Sequence, residues 1–95
     1  MPKKYFVYVM ANETRMLDVG VTNGLEQRVV EHKEKLLDGY TSRYDMTRLV
    51  YYEEFEYINA AIAREKELKG WRRIKKIEMI ARANPRWRDL ADDWV

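Results

Sequence analysis

Two apolar runs open the chain. Tyr5-Phe6-Val7-Tyr8-Val9-Met10 is aromatic and β-branched, the make-up of a buried strand. A short polar turn at 11–15 separates it from residues 16–22, which are apolar apart from Asp18. So brief a connection predicts an antiparallel hairpin. Asn23 followed three positions later by Glu26 is a variant capping box, so a helix is expected from about Gly24 to Leu37, stopped by Asp38-Gly39. Residues 40–47 are polar and read as a loop, and residues 48–54 read as a third strand with an acidic end. Residues 57–69 are rich in Ala, Glu, Lys and Leu, predicting a second helix with Gly70 as its C-cap. A third helix is expected over 71–83, halted by Asn84-Pro85. The remaining segment carries Trp87 and Trp94, expected to dock back as a short turn of helix. The fold class is therefore α+β: a small, three-stranded, mainly antiparallel sheet flanked by helices, in the order β-β-α-β-α-α.

Winding the helices at about 100° per residue exposes polar groups on apolar faces. In the first helix Leu25, Val29 and Leu36 share a stripe, with His32 at its edge and Arg28 one turn earlier. In the second, Ile58 and Ile62 form the expected apolar centre with Ala61 and Leu68 beside them, and Glu65 falls between. A carboxylate there must be paired, hydrogen-bonded or bound to metal. Glu65 either reaches Lys69 or Arg28 in an ion pair or holds a hard cation through oxygen. His32 is either a satisfied semi-buried histidine or a group that handles a proton. A glutamate, an arginine and a tyrosine or histidine together are an inventory for metal-assisted phosphodiester hydrolysis.

Composition narrows the choices. Ninety-five residues, 46% hydrophobic and 36% charged, describe one globular domain spanning 1–95. With no cysteine and a single histidine, thiolate zinc sites, cysteine nucleophiles and multi-imidazole sites are excluded. No apolar run approaches the roughly 18 residues of a membrane span and no signal peptide opens the chain, so it reads as cytosolic and makes no membrane contact. Net charge is only +2, yet Arg64, Lys66, Lys69, Arg72, Arg73, Lys75 and Lys76 crowd one stretch against Glu65 and Glu67. That run is either a solvated helix face or a surface for phosphates.

The order of several segments resembles the small, stand-alone GIY-YIG endonuclease-like proteins. The stretches that carry the resemblance are Phe6-Val7-Tyr8-Val9, Val19-Gly20-Val21-Thr22-Asn23, residues 25–32, residues 61–71 and Asn84-Pro85-Arg86-Trp87. The resemblance implies that Tyr8 ends the first half of the family signature and Gly20 the second. It further implies that Arg28 is the catalytic arginine, that His32 stands at a position held by histidine or tyrosine, and that Glu65 binds one divalent ion, Mg²⁺ or Mn²⁺. One carboxylate plus waters is a sparse ligand set, so weak binding without DNA is expected. Tyr8 or His32 would then assist deprotonation of the attacking water. The implied partner is DNA, without sequence specificity, contacted through the basic run. One position departs: Asp18 stands where the family has its second signature tyrosine. At about 5 Å from a phosphate, its charge would repel by roughly 3 kcal/mol at an effective dielectric of 20. Alternatively it joins Glu65 as a second oxygen ligand. Two further functions stay open: a DNA-binding module that keeps the fold without cleavage, and a protein-interaction domain using the basic helix. The protein is expected to be a monomer or a weak homodimer.

Overall fold

The first strand, β1 (Tyr5–Ala11), is apolar on both sides and must therefore be covered on both. It lies in the middle of a three-stranded sheet ordered β2-β1-β3, with β2 (Leu17–Thr22) and β3 (Arg48–Phe55) both antiparallel to it. Helix α1 (Leu25–Lys33) follows β2, and α2 (Ile58–Gly70) and α3 (Arg73–Ala83) follow β3, in the expected order β-β-α-β-α-α. The structure, a computed structural model, describes residues 3–36, 39 and 43–94. The expected helix end at Leu37 and Asp38, and the loop residues Tyr40, Thr41 and Ser42, lie outside the described residues.

Alternation along β1 feeds two cores. Val7, Val9 and Ala11 pack with Ala61 and Leu68 of α2, Ile80 of α3 and Trp87. Tyr8 and Met10 point the other way, towards Leu25 and Val29 of α1, Met46, Leu49 and Ala91. A register shift between Val9 and Met10 leaves Val50 as the extra residue of a bulge in β3. The C-terminal segment satisfies the carbonyls this exposes: Asn84 Nδ2 donates to Val50 O at 3.1 Å and Leu90 N–H to Leu49 O at 2.8 Å. That segment is a series of turns with no helical turn, and it buries Trp87 while Trp94 packs edge-on against Tyr52.

Several local expectations change. The capping box does not form: Gly24 is the N-cap without a side-chain bond, and its N–H donates to Thr22 Oγ1 at 3.0 Å. Helix α1 ends at Lys33 because Lys35 turns left-handed (φ 56°). Leu36 N–H then bonds Glu31 O at 2.9 Å and Lys35 N–H bonds His32 O at 3.1 Å, a Schellman closure without the usual glycine. Leu36 consequently leaves the helix stripe and is 64% exposed. Gly70 lies within α2, whose C-cap is Trp71, and α3 begins two residues later than expected. The sheet-facing ridge of α2 is Ala61 and Leu68, both fully buried, whereas Ile58 is 49% exposed. The small Ala61 lets the helix approach β1 and β2 closely, which leaves the bulkier Ile58 outward and Ile62 half-buried.

Candidate active site

Cross-strand pairing sets the floor of the site. Tyr8 on β1 lies opposite Gly20 on β2, and Met10 lies opposite Asp18 one pair further on. Directly opposed residues share a face, so the Tyr8 ring lies over the bare Gly20 backbone. A Cβ at position 20 would sit 2.3 Å from the Tyr8 hydroxyl and 2.4 Å from Cζ. Glycine is required here by close approach and by nothing in its own backbone angles.

Helix α1 covers the same face and carries Arg28 and His32 one turn apart. His32 Nε2 lies 3.4 Å from the Tyr8 hydroxyl and 3.9 Å from Asp18 Oδ2, and the Tyr8 and His32 rings meet edge to face at 5.7 Å. His32 is 2% exposed, and its Nδ1 is buried without a hydrogen-bond partner of normal geometry. Arg28 is part-exposed and pairs with Glu31 at 3.1 Å. Glu65 comes from α2, which packs on β1 and β2. Its carboxylate is 16% exposed and pairs with Lys69 at 3.3 Å. The ion pair that helical winding allowed for Glu65 is thus formed, with Lys69 as its partner.

The charges act on one another. Burial raises the Tyr8 phenol above its usual range, against the pull of Arg28, with Asp18 and Glu65 adding to the rise. Burial also raises the Asp18 carboxyl, opposed by Lys69 and Arg28 and reinforced by Glu65. His32 is lowered by burial and then by Arg28, against smaller pulls from Glu31 and the Met46 backbone. At neutral pH the cluster therefore holds a neutral imidazole beside a neutral phenol, with the side chains of Asp18, Glu65, Arg28 and Lys69 around them. It can pass a proton between Tyr8 and His32 and offer Arg28 to an anion.

The structure brings Tyr8, Asp18, Arg28, His32 and Glu65 together from four elements. Lys69, assigned from sequence to the DNA-contacting run, joins this group as the partner of Glu65; its position one turn after Glu65 was the available signal. The rest of the basic run divides. Arg64 grips Glu53 through two nitrogens at 2.9 Å each and reaches Glu67 at 2.6 Å. Tyr51 also bonds Glu53, and its phenol is pushed up to about 12 by burial and by that carboxylate. Arg73 donates to Arg15 O at 2.7 Å. Lys75 stacks on Trp71 at 4.1 Å. Among the described residues Lys66, Arg72 and Lys76 make no ion pair.

For a metal, Asp18 and Glu65 are the carboxylates whose charges meet in the site. No group of three or more histidine, aspartate or glutamate side chains is placed to hold an ion among the described residues. Two carboxylates suit a hard cation that keeps most of its water. No helix among the described residues is long and apolar enough to cross a membrane.

Residues 4–78 match the family model of the GIY-YIG catalytic domain. That is well over half of the sequence, and the chain belongs to the GIY-YIG family. More particularly, it is similar to the UPF0213 proteins. A UPF0213 protein of Natronomonas pharaonis is 35% identical over 81 residues, covering 85% of this chain and 95% of the relative. One from Staphylococcus saprophyticus is 30% identical over 78 residues, covering 82% and 95%. The solution NMR structure of a UPF0213 protein from Bacillus halodurans shares the fold, with a TM-score of 0.57 over 95% of this chain and 97% of that one at 20% identity.

Proposed function

We propose that this chain is an endonuclease that hydrolyses DNA phosphodiester bonds with one divalent cation, Mg²⁺ or Mn²⁺. The family is nuclease-like, generally acts on DNA and is generally metal-dependent. The observation that carries the reading is the convergence of Tyr8, Asp18, Arg28, His32 and Glu65 from β1, β2, α1 and α2.

Glu65 would hold the cation, exchanging Lys69 for it, with Asp18 close by. The bound ion would supply Lewis-acid polarisation of the phosphate and stabilisation of the leaving oxygen. Arg28 stabilises the added negative charge of the transition state; releasing Glu31 frees its guanidinium to do so. The Tyr8 hydroxyl takes a proton from the attacking water as its own passes to His32 Nε2, 3.4 Å away. Imidazole is the final acceptor because burial keeps His32 neutral with a lone pair free, whereas the raised phenol stays protonated and can take a proton only as it gives up its own. Lys66, Arg72, Lys75 and Lys76 supply phosphate contacts that read no sequence, so cleavage without sequence preference is expected.

The test is nicking of supercoiled plasmid with Mg²⁺ or Mn²⁺, using Glu65→Gln as control. Metal-dependent nicking lost in Glu65→Gln supports the reading. A second reading has an observation in its favour. Asp18 adds negative charge beside the phosphate position, and Glu65 already has a cationic partner in Lys69. On that reading the protein binds DNA without cutting it, and salt-sensitive binding with no nicking in either metal would establish it.

A further inference from the structure

Two loops, the β1–β2 turn and the segment that follows α3, repeat one construction. In each, an asparagine is followed three residues later by a large side chain in left-handed backbone: Asn12 and Arg15 (φ 63°), then Asn84 and Trp87 (φ 53°). In both, the N–H of the left-handed residue donates to the asparagine carbonyl at 3.0 Å. In both, Oδ1 of the asparagine accepts the N–H of the next residue, Met16 at 2.9 Å and Arg88 at 3.1 Å. Neither loop offers glycine where its backbone favours one, and strain of this kind persists only where surrounding structure imposes it. Arg73 adds to that constraint by donating to Arg15 O at 2.7 Å.

The two strained residues meet. The Arg15 guanidinium lies 4.6 Å from the centre of the Trp87 ring. Arg48, opposite Ala11 in the sheet, and Arg86, beside Trp87, join Arg15 around a cavity of about 150 Å³. Arg86 makes no ion pair or hydrogen bond among the described residues. The opposing charge at the cavity is Glu13, 86% exposed and only loosely paired with Arg48 at 3.5 Å. Three arginines thus line a polar cavity against one carboxylate that is mostly exposed to solvent.

We propose that this cavity binds a phosphate group through Arg15, Arg48 and Arg86. Its volume equals about five waters, enough for one tetrahedral oxyanion and well below the roughly 300 Å³ at which pockets for drug-sized ligands begin. Trp87 is nearly buried, so a nucleobase has no aromatic face to stack on. Each arginine presents a planar fork of N–H donors matched to phosphate oxygens, which a lysine would not. The Arg15 guanidinium is already seated on Trp87 before the ligand arrives, so less of its side-chain freedom is lost on binding. The site stands whether or not the chain cleaves DNA. The phosphate can belong to a nucleic-acid backbone or to a small phosphorylated molecule.

The experiment follows the side-chain Nε–Hε NMR signals of Arg15, Arg48 and Arg86 in the intact protein. Inorganic phosphate is added in one arm and a thymidine oligonucleotide in the other. Shifts with both, the two competing, identify a nucleic-acid phosphate; shifts with inorganic phosphate alone identify the small-molecule source. Either outcome supports the site. Arg86→Gln, at an exposed position, should weaken binding roughly tenfold or more. Arg15→Gly should do the same while thermal stability holds or rises, because glycine relaxes the left-handed turn. Signals that stay still in both arms would overturn the proposal, as would unchanged affinity in Arg86→Gln.

Discussion

Gly20→Ala adds one methyl group where the Tyr8 ring lies. The new Cβ would be 2.3, 2.4 and 2.8 Å from three atoms of that ring, against a normal contact of about 3.5 Å, so the ring must retreat by more than about 1 Å. It has little room to do so, because Tyr8 is 3% exposed and bonded to His32. Overpacking of this kind costs about 1–3 kcal/mol. Gly20 has no left-handed backbone, so without the ring alanine would stabilise by about 0.4–1 kcal/mol through the unfolded chain. The net expectation is a loss of about 1–2 kcal/mol, or a fall in Tm of roughly 5–15 °C for a chain of this size. Circular-dichroism melts of the parent, Gly20→Ala, Tyr8→Val and the double variant measure it. In the Tyr8→Val background the ring is gone, and Gly20→Ala should become neutral or stabilising, a coupling above about 1 kcal/mol. An unchanged Tm in Gly20→Ala alone, or the same loss in both backgrounds, would refute the close-approach argument.

The folded pKa of His32 lies below the ordinary 6.5, so the unfolded chain binds more protons in that window. Its contribution to stability is complete above about pH 6.5 and is lost as the pH falls towards the lowered value; Tm measured against pH should show this, and His32→Gln should flatten it. Asp18→Asn removes a charge at nearly constant size and is expected to tighten DNA binding, whereas Asp18→Tyr is expected to raise metal-dependent nicking if a phenol is what the site lacks. Gel-shift and plasmid assays run together separate the two, and lower nicking in Asp18→Tyr would show that aspartate serves as a metal ligand. Replacing Lys66, Arg72, Lys75 and Lys76 by glutamine should flatten the salt dependence of DNA binding, the slope falling by roughly 0.9 for each phosphate no longer neutralised. Arg64→Gln, which leaves Glu53 with Tyr51 but without its cation, is expected instead to lower Tm with little change in that slope.

Strand and helix types were legible because β1 and the Ala/Glu/Lys-rich α2 speak in unmixed patterns. Positions that depend on a third dimension were not. No residue type announces that Lys35 turns left-handed, and a stop signal at Asp38-Gly39 competes with it, so the sequence runs α1 too long. Asn23 has the right neighbours for a capping box, yet the helix takes Gly24 as its N-cap, one residue later. Winding places Ile58 and Ile62 at the apolar centre of α2, but close packing on a sheet favours Ala61 over Ile58. His32 and Glu65 could be singled out by winding alone, because each is a polar side chain among apolar ones. The overlap of Tyr8 with Gly20 needs the strand register, and the arginine cavity needs two loops that lie about 70 residues apart in the chain.

A central strand paired on both sides sets the order of assembly. The β1–β2 hairpin closes locally, whereas pairing Tyr5 with Phe55 brings together residues fifty positions apart. During synthesis the hairpin emerges with one edge of β1 unpaired until β3 has been made. Closure of β1 on β3 should therefore limit the folding rate, as distant contacts do elsewhere. Substitutions at Val50 or Tyr51 are expected to speed unfolding and slow folding together, and those at Leu68 to act mainly on unfolding. Glu65 lies on the element that follows β3, so the cluster around Tyr8 gains its last carboxylate only after the slow step, and a chain caught before it carries no complete site.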